Sequence, residues 1–263
     1  MNNKFKKNKF YVNYKFHKLE FNSFIMKKII FILLFSIIAQ NFIYSQSLED
    51  KKVLVVWGGY KPHQPKLFAK NVINWLKKEK ANIHESNNLN IYSNYDSLIK
   101  FDLIIQSITM MNLSSKQEKN LTNAVKYGLG IAGAHGGLGD SFRNNTAYQF
   151  MIGGQFVEHP GGKVNFKVEM LKDPLTKGLN DFEIFSEQYY LHYDPNIQIL
   201  ATTKFDGKTY PWIKGVVMPV AWKKIYGKGK VFYISIGHDP NEFIEYPEGW
   251  KLLTRGFEWA SKN

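Results

Sequence analysis

No cysteine occurs among the 263 residues. That removes a disulfide framework, thiolate metal ligation, lipid attachment at a leader cysteine and every thiol-dependent reaction. No Gly-x4-Gly-Lys-Ser/Thr occurs either, so a phosphate-binding loop of that kind is excluded. Basic residues form no stripe interleaved with aromatics, which argues against nucleic acid as a partner. The longest apolar stretch, residues 29–39, is shorter than the about 20 residues a membrane-spanning helix needs.

That stretch has another reading. Met26-Lys27-Lys28 precedes it and Ile43-Tyr44-Ser45 follows, the layout of a positive region, a short apolar core and a small residue at a cleavage point. A secretory signal is therefore expected within residues 1–45, with residues 1–25 an extension from an upstream start. Export, to the periplasm or beyond, follows, and contact with a membrane is expected only if this leader stays uncleaved as an anchor. The leader also carries eight lysines and one glutamate, so the formal charge of +13 falls to +6 for residues 46–263. These remaining residues contain no Pro/Ser/Gly-type linker and no internal repeat, and they are expected to form one domain.

Apolar patterning in the first half alternates between the two periods. Residues 53–57, 101–105 and 131–134 read as buried strands and 82–86 as a short one. Residues 65–80 carry an amphipathic helical stripe opened by proline, and Ser115-Lys116-Gln117-Glu118 reads as a capping box for a helix ending near Tyr127. This order predicts a mostly parallel α/β sheet with helices on both faces. Residues 165–170, 198–205, 215–223 and 230–237 read as strands with few helices between them, an antiparallel extension whose last strand rejoins the main sheet. A hairpin turn is expected at residues 227–230, Trp222 belongs to the core, and residues 247–260 form a closing amphipathic helix.

Ligands of such sheets sit outside the carboxyl ends of the strands. One of these ends carries Gly133-Ala134-His135-Gly136-Gly137, the Gly-x-Nu-x-Gly spacing of a nucleophile elbow with histidine at its centre. With no serine there, a serine triad is excluded. Asp140, five residues on, is expected to cap the next helix, with Arg143 on the surface. Five of the seven histidines, His63, His135, His159, His192 and His238, fall after strands or in glycine-rich turns. Polar groups repeatedly placed at strand ends should converge on one edge, and imidazoles there can carry protons or bind a divalent metal. The metal candidates are His135, His159 and His238, although no compact His-x3-His spacing exists. Glu187 stands among Tyr189, Tyr190 and Tyr193, where desolvation would disfavour its ionised form, the tuning of a general acid. His135, Glu187, His159 and His238 are therefore expected to do chemistry, with Gly58, Gly59, His63, Gly136, Tyr189 and His192 holding a substrate. Aromatic rings beside a few polar groups suit a sugar, which offers apolar faces and hydroxyl edges.

The chain resembles the ThuA-like family, named for trehalose utilisation and built on the class I glutamine-amidotransferase-like fold. The resemblance rests on residues 53–59, Gly133-Ala134-His135-Gly136, residues 148–156 with His159-Pro160, and Ser186-Glu187-Gln188-Tyr189-Tyr190. It continues through Leu200-Ala201-Thr202-Thr203, Met218-Pro219-Val220-Ala221-Trp222, residues 226–233 and Gly237-His238. It implies a flavodoxin-like sheet and a role in carbohydrate metabolism, on a disaccharide or a keto-glycoside. It leaves open an alternative in which the chain only binds sugar, or serves as an interaction domain on a relic of the amidotransferase fold. Relatives carry histidine where this chain has Tyr60, and some where it has Met218, so a metal bound through those positions would have fewer ligands here. Without cysteine, glutamine-dependent amide transfer is out of reach.

Overall fold

The computed structural model describes residues 47–262; the leader and its expected signal, residues 1–45, lie outside the described residues. Strand β1 (Lys52–Gly59) leads through a single 3-10 turn into helix α1 (Pro65–Lys78), and β2 (Asn82–Ser86) follows. The short helix α2 (Tyr95–Leu98), β3 (Leu103–Thr109), α3 (Ser115–Lys126) and β4 (Gly130–Ala134) complete the first half. Two short helices, α4 (Gly136–Gly139) and α5 (Thr146–Ile152), come after the elbow. Next are β5 (Gly154–Glu158), β6 (Lys163–Met170), β7 (Phe182–Glu187), β8 (Tyr190–Tyr193), β9 (Gln198–Lys204), β10 (Val217–Tyr226) and β11 (Gly229–Ile234). Helices α6 (Glu242–Glu245) and α7 (Pro247–Ala260) close the chain.

Nine strands form one sheet in the order β2-β1-β3-β4-β11-β10-β9-β6-β7. The first five of these run parallel. Their order is the flavodoxin-like one, with β11 as the fifth parallel strand. The remaining four pair antiparallel, beginning with the β10–β11 hairpin, in which Tyr226 pairs with Gly229 across the turn at Gly227-Lys228. Strands β5 and β8 make a separate antiparallel ribbon.

Alternation along the parallel strands divides the apolar side chains between two cores. Val53 and Val55 of β1 face one core with Phe68, Val72 and Leu76 of α1 and Leu252, Leu253 and Phe257 of α7. Leu54 and Val56 face the other, with Leu121 and Val125 of α3 and Met151 and Ile152 of α5. Helices thus cover both faces, and each fully buried leucine or phenylalanine contributes about 1.5–3 kcal/mol. Trp222 is fully buried in the second core.

Several boundaries differ from those the sequence predicts. The capping box of α3 is Ser114 with Gln117, one residue earlier than expected, because the Ser114 hydroxyl accepts from the Gln117 amide while the Gln117 side chain returns to the Ser114 amide. Strand β3 runs four residues past Ile105, and three of them, Gln106, Ser107 and Thr109, are polar and nonetheless buried. Gln106 can stay there because its amide is satisfied: Oε1 accepts from Tyr92, and Nε2 donates to Ser141 and Tyr148. Asp140 does not cap the following helix; Asn145 does, accepting from the Tyr148 amide. Strands β5, β7 and β8, which carry or flank several candidate residues, have too weak an apolar alternation to be read locally.

Candidate functional site

The carboxyl ends of β1, β3, β4 and β11 share one edge, as parallel pairing requires, and the candidate residues gather there. His135 leaves β4 with φ 49° and ψ −141°, a conformation costly for a residue with a side chain, by about 1–3 kcal/mol. The surroundings enforce it: the His135 amide donates to the Ile234 carbonyl at 2.7 Å. A β-carbon on Gly133 would lie 2.5 Å from the Gln106 carbonyl oxygen, so that flank of the elbow must be glycine. The elbow therefore holds as the spacing predicts, presenting an imidazole.

His135 is buried, and both ring nitrogens have partners. Nδ1 lies 2.8 Å from the Ser235 carbonyl. A carbonyl only accepts, so Nδ1 carries a proton and donates to it. Nε2 sits 2.7 Å from the Tyr189 hydroxyl and 3.1 Å from Glu187 Oε2. His238, on the loop after β11, brings Nδ1 to 3.2 Å from the same oxygen. His63, in the turn after β1, completes the group, with ring centroids 4.8 Å from His135 and 5.2 Å from His238. Its Nδ1 lies 3.2 Å from Thr109 Oγ1. Across the top, His159 Nε2 stands 3.8 Å from Glu187 Oε1. His63, His159, Glu187, Tyr189 and His238 line a cavity of about 270 Å³ together with Tyr60, Met110, Asp140, Arg143 and Phe156, and His135 is not part of its lining.

The electrostatics reverse the sequence-based expectation for Glu187. Burial alone raises its pKa, as expected of a carboxyl among tyrosines, but the close approaches of His135 and His238 outweigh burial and hold it well below the usual carboxylate range. Glu187 is a carboxylate here, so it is no reservoir of acidic protons. His63 moves the other way: burial, then the charges of His135 and His238, lower its pKa to about 3. The Glu187 carboxylate raises that of His238 against the effect of burial. Burial keeps the Tyr189 phenol protonated far above pH 10.

The structure redistributes the remaining candidates. His63 sits within the histidine–carboxylate cluster, whereas His159 sits at its mouth. Among the described residues, the donor group able to hold a metal ion is His63, His135, Glu187 and His238, whose ligand atoms all lie within 4.8 Å of one another. His192 is exposed in β8 opposite Gln155 and does not line the cavity, because strand alternation turns its neighbour Leu191 inward instead. Gly58 and Gly59 do not line it either. Gly59, at φ 82°, packs directly on the Thr109 backbone and so turns the chain toward Tyr60 and His63. Gly136 likewise acts by being small, since the His63 ring lies where its β-carbon would be.

Sequence reasoning missed two participants. Asp140 is buried in the cavity wall and accepts two hydrogen bonds from the half-exposed Arg143, at 2.6 and 2.8 Å. The three-residue spacing after the elbow could have signalled this pair. Glu242 is also buried, accepting from Ser186 Oγ at 2.7 Å and the Gly237 amide at 3.1 Å. It ties the end of β7, which carries Glu187, to the loop carrying His238. No local pattern marks Glu242, because Ser186 is 56 positions away.

The family model described as ThuA, trehalose utilisation, matches residues 52–260. Among curated proteins, none matches the chain significantly. A solved ThuA-like protein from Bacteroides uniformis is similar at 19% identity and TM-score 0.65, over 81% of this chain and 91% of that one. Another, from Parabacteroides merdae, shares 15% identity at TM-score 0.63, over 81% and 90% of the two chains. A β-galactosidase from Bacillus circulans has a similar fold in 31% of its chain, at 12% identity and TM-score 0.51 over 81% of this one. At these identities the structures speak to the fold.

Proposed function

The chain belongs to the ThuA family of trehalose utilisation, and we propose that it transforms a carbohydrate, a disaccharide or a keto-glycoside, in the cavity around Glu187. The observation that carries this reading is a buried, ionised carboxylate faced by three histidine rings at the carboxyl edge of a parallel sheet. Buried titratable groups whose charges are set by one another in a cleft are the usual machinery of proton transfer. At about 270 Å³ the cavity lies just below the about 300–1,000 Å³ of typical small-molecule sites, which suits one sugar ring with the rest of the substrate outside. Phe156 and Tyr60 offer faces to the ring, and Arg143 offers donors to its hydroxyls.

In this reading His159, at the mouth, exchanges a proton with the sugar, with Glu187 Oε1 3.8 Å from its Nε2. Arg143, whose guanidinium lines the cavity, donates to the oxygen on which negative charge grows during cleavage or enolisation. We further propose that this happens outside the cytoplasm, after removal of residues 1–45, on the strength of the signal-like layout of residues 26–45.

The test is a panel of glycosides and 3-keto-glycosides presented to the wild type and to Glu187→Gln. Turnover by the wild type that falls by about 10²-fold or more in the variant is expected. Equal turnover by both proteins overturns the role of Glu187. Saturable binding without product would identify a sugar-binding module and overturn the enzymatic reading.

A further inference from the structure

Two atoms at the heart of the cavity have no hydrogen-bond partner although both are fully shielded from solvent: Glu187 Oε2 and His238 Nδ1. They lie 3.2 Å apart, and His135 Nε2 lies 3.1 Å from the same carboxylate oxygen, yet none of these approaches has the geometry of a hydrogen bond. Leaving buried polar atoms unpaired is costly, by more for a charged oxygen than for a neutral one. The tutored orientation of His135 sharpens the point. With its Nδ1 committed to the Ser235 carbonyl, Nε2 is the ring nitrogen that faces both Glu187 Oε2 and the Tyr189 hydroxyl. A cation held among these atoms would give both unpartnered ones a partner.

We propose that His63, His135, Glu187 and His238 bind one divalent first-row transition metal ion, of which zinc is the first choice. Their ligand atoms lie within 4.8 Å of one another. Donors about 2.0–2.2 Å from a common ion stand roughly 3.3 Å apart in a tetrahedron and up to about 4.3 Å apart across an octahedron, so the set closes on an ion by sub-ångström movements. Three imidazoles with one carboxylate select against magnesium and calcium, which take oxygen donors. The four come from four separate elements, the turn after β1, the elbow after β4, the end of β7 and the loop after β11. The fold, rather than any short spacing, assembles the site.

The surroundings are those of ligands held in place. The Ser235 carbonyl fixes the tautomer of His135, and Thr109 Oγ1 is 3.2 Å from His63 Nδ1. Glu242 anchors the His238 loop through the Gly237 amide. Such partners set ring orientation and basicity in metal sites. Tyr189, whose hydroxyl lies 2.7 Å from His135 Nε2, is not one of the four donors. His159 remains outside as well, 3.8 Å from the second oxygen, Glu187 Oε1. The assignment goes beyond the carbohydrate reading and stands without it, because metal content is measured with no substrate present.

The experiment uses the full-length chain, purified without chelators for elemental analysis, then stripped with a chelator, dialysed and titrated calorimetrically with zinc chloride. Magnesium chloride is the control. One equivalent of zinc per chain and no measurable magnesium binding are expected. His63→Ala and His238→Ala should weaken zinc binding by about 10–100-fold or more, while His159→Ala and Tyr189→Phe keep the stoichiometry. Circular dichroism of the stripped variants separates loss of a ligand from loss of fold. If His135→Ala does not fold, the two loop ligands His63 and His238 still decide the matter. Zinc binding below a tenth of an equivalent in the folded wild type overturns the proposal and leaves a shared proton as the group between His135 and Glu187. So does binding that survives His63→Ala and His238→Ala together.

Discussion

The ring of His63 occupies the space a β-carbon on Gly136 would fill: that carbon would lie 2.6 Å from His63 Cε1 and 2.7 Å from Nδ1. The small residue beside the elbow is thus what lets a turn from the far side of β1 reach the imidazole of His135.

Gly136→Ala should therefore push His63 out of the cluster while leaving the fold intact, since Gly136 is a helical residue without positive φ. Ligand positioning errors of about 1 Å cost on the order of 10²-fold in turnover. Turnover, or zinc affinity measured calorimetrically, should fall by that order with an unchanged circular dichroism spectrum. Wild-type behaviour would show that His63 takes no part.

Glu242→Gln should destabilise the protein and disturb the site from a distance. The carboxylate accepts from Ser186 and the Gly237 amide, and Lys163 Nζ is 3.4 Å away. Both of those bonds end on Oε2, while Oε1 faces the Asp239 amide and Lys163, so a side-chain amide that keeps the first oxygen turns its NH2 group toward other donors. The expected loss is about 1–3 kcal/mol, read by urea denaturation, with weaker ligand binding through the His238 loop. Rescue by Glu242→Asp would not be expected, because the shorter side chain cannot bring one oxygen within reach of both Ser186 Oγ and the Gly237 amide.

Asp173→Ala should be among the more damaging single changes away from the cavity. Asp173 is buried, receives Lys223 Nζ at 2.8 Å and Gln198 Nε2 at 2.8 Å, and caps the turn at Leu175. Its removal leaves the largely buried Lys223 ammonium unpaired, a loss of about 3–5 kcal/mol. Asp173→Asn keeps the cap and should lose less. Chemical denaturation of the two variants gives the comparison, and equal stabilities would refute it.

Stability should decline as pH rises from about 4.5 to about 7, through Glu258 on α7. Burial, then the charge of Glu79, raise its pKa to about 7, against the pull of Arg255. Between the unfolded value and this one the native state binds the extra proton, so raising pH favours unfolding over that window. The full penalty is present above pH 7 and absent below about 4.5. Solvent reaches part of the group, which limits the effect to the order of 1 kcal/mol. Glu258→Gln should flatten this part of the profile of Tm against pH; an unchanged slope would assign the decline elsewhere.

Local patterns carried much of the fold. The continuous apolar run at residues 53–57 and the striped helix beginning at Pro65 state their neighbours' chemistry within one or two turns, because burial on one face or two imposes a period on the residues themselves. The elbow was legible for the same reason: its glycines and central histidine are adjacent in the chain. Strand β3 was cut short at Ile105 because Gln106 looks like a surface residue until Tyr92, Ser141 and Tyr148 are found around it.

The sequence could bring His63, His135, His159, His192 and His238 forward as a set, but not sort them. His135 depends on a carbonyl 100 positions away and on a tyrosine 54 positions away, and His192 was turned out to solvent by its pairing with Gln155. The charge on Glu187 was reversed in the same way. Its neighbours in sequence are tyrosines, which favour the neutral acid, but its neighbours in space are histidines, which favour the anion. Secondary structure follows from periodicity over a few residues. Ligation and ionisation follow from distances below about 4 Å, where Coulomb energies grow large, and those distances exist only once the strands have paired.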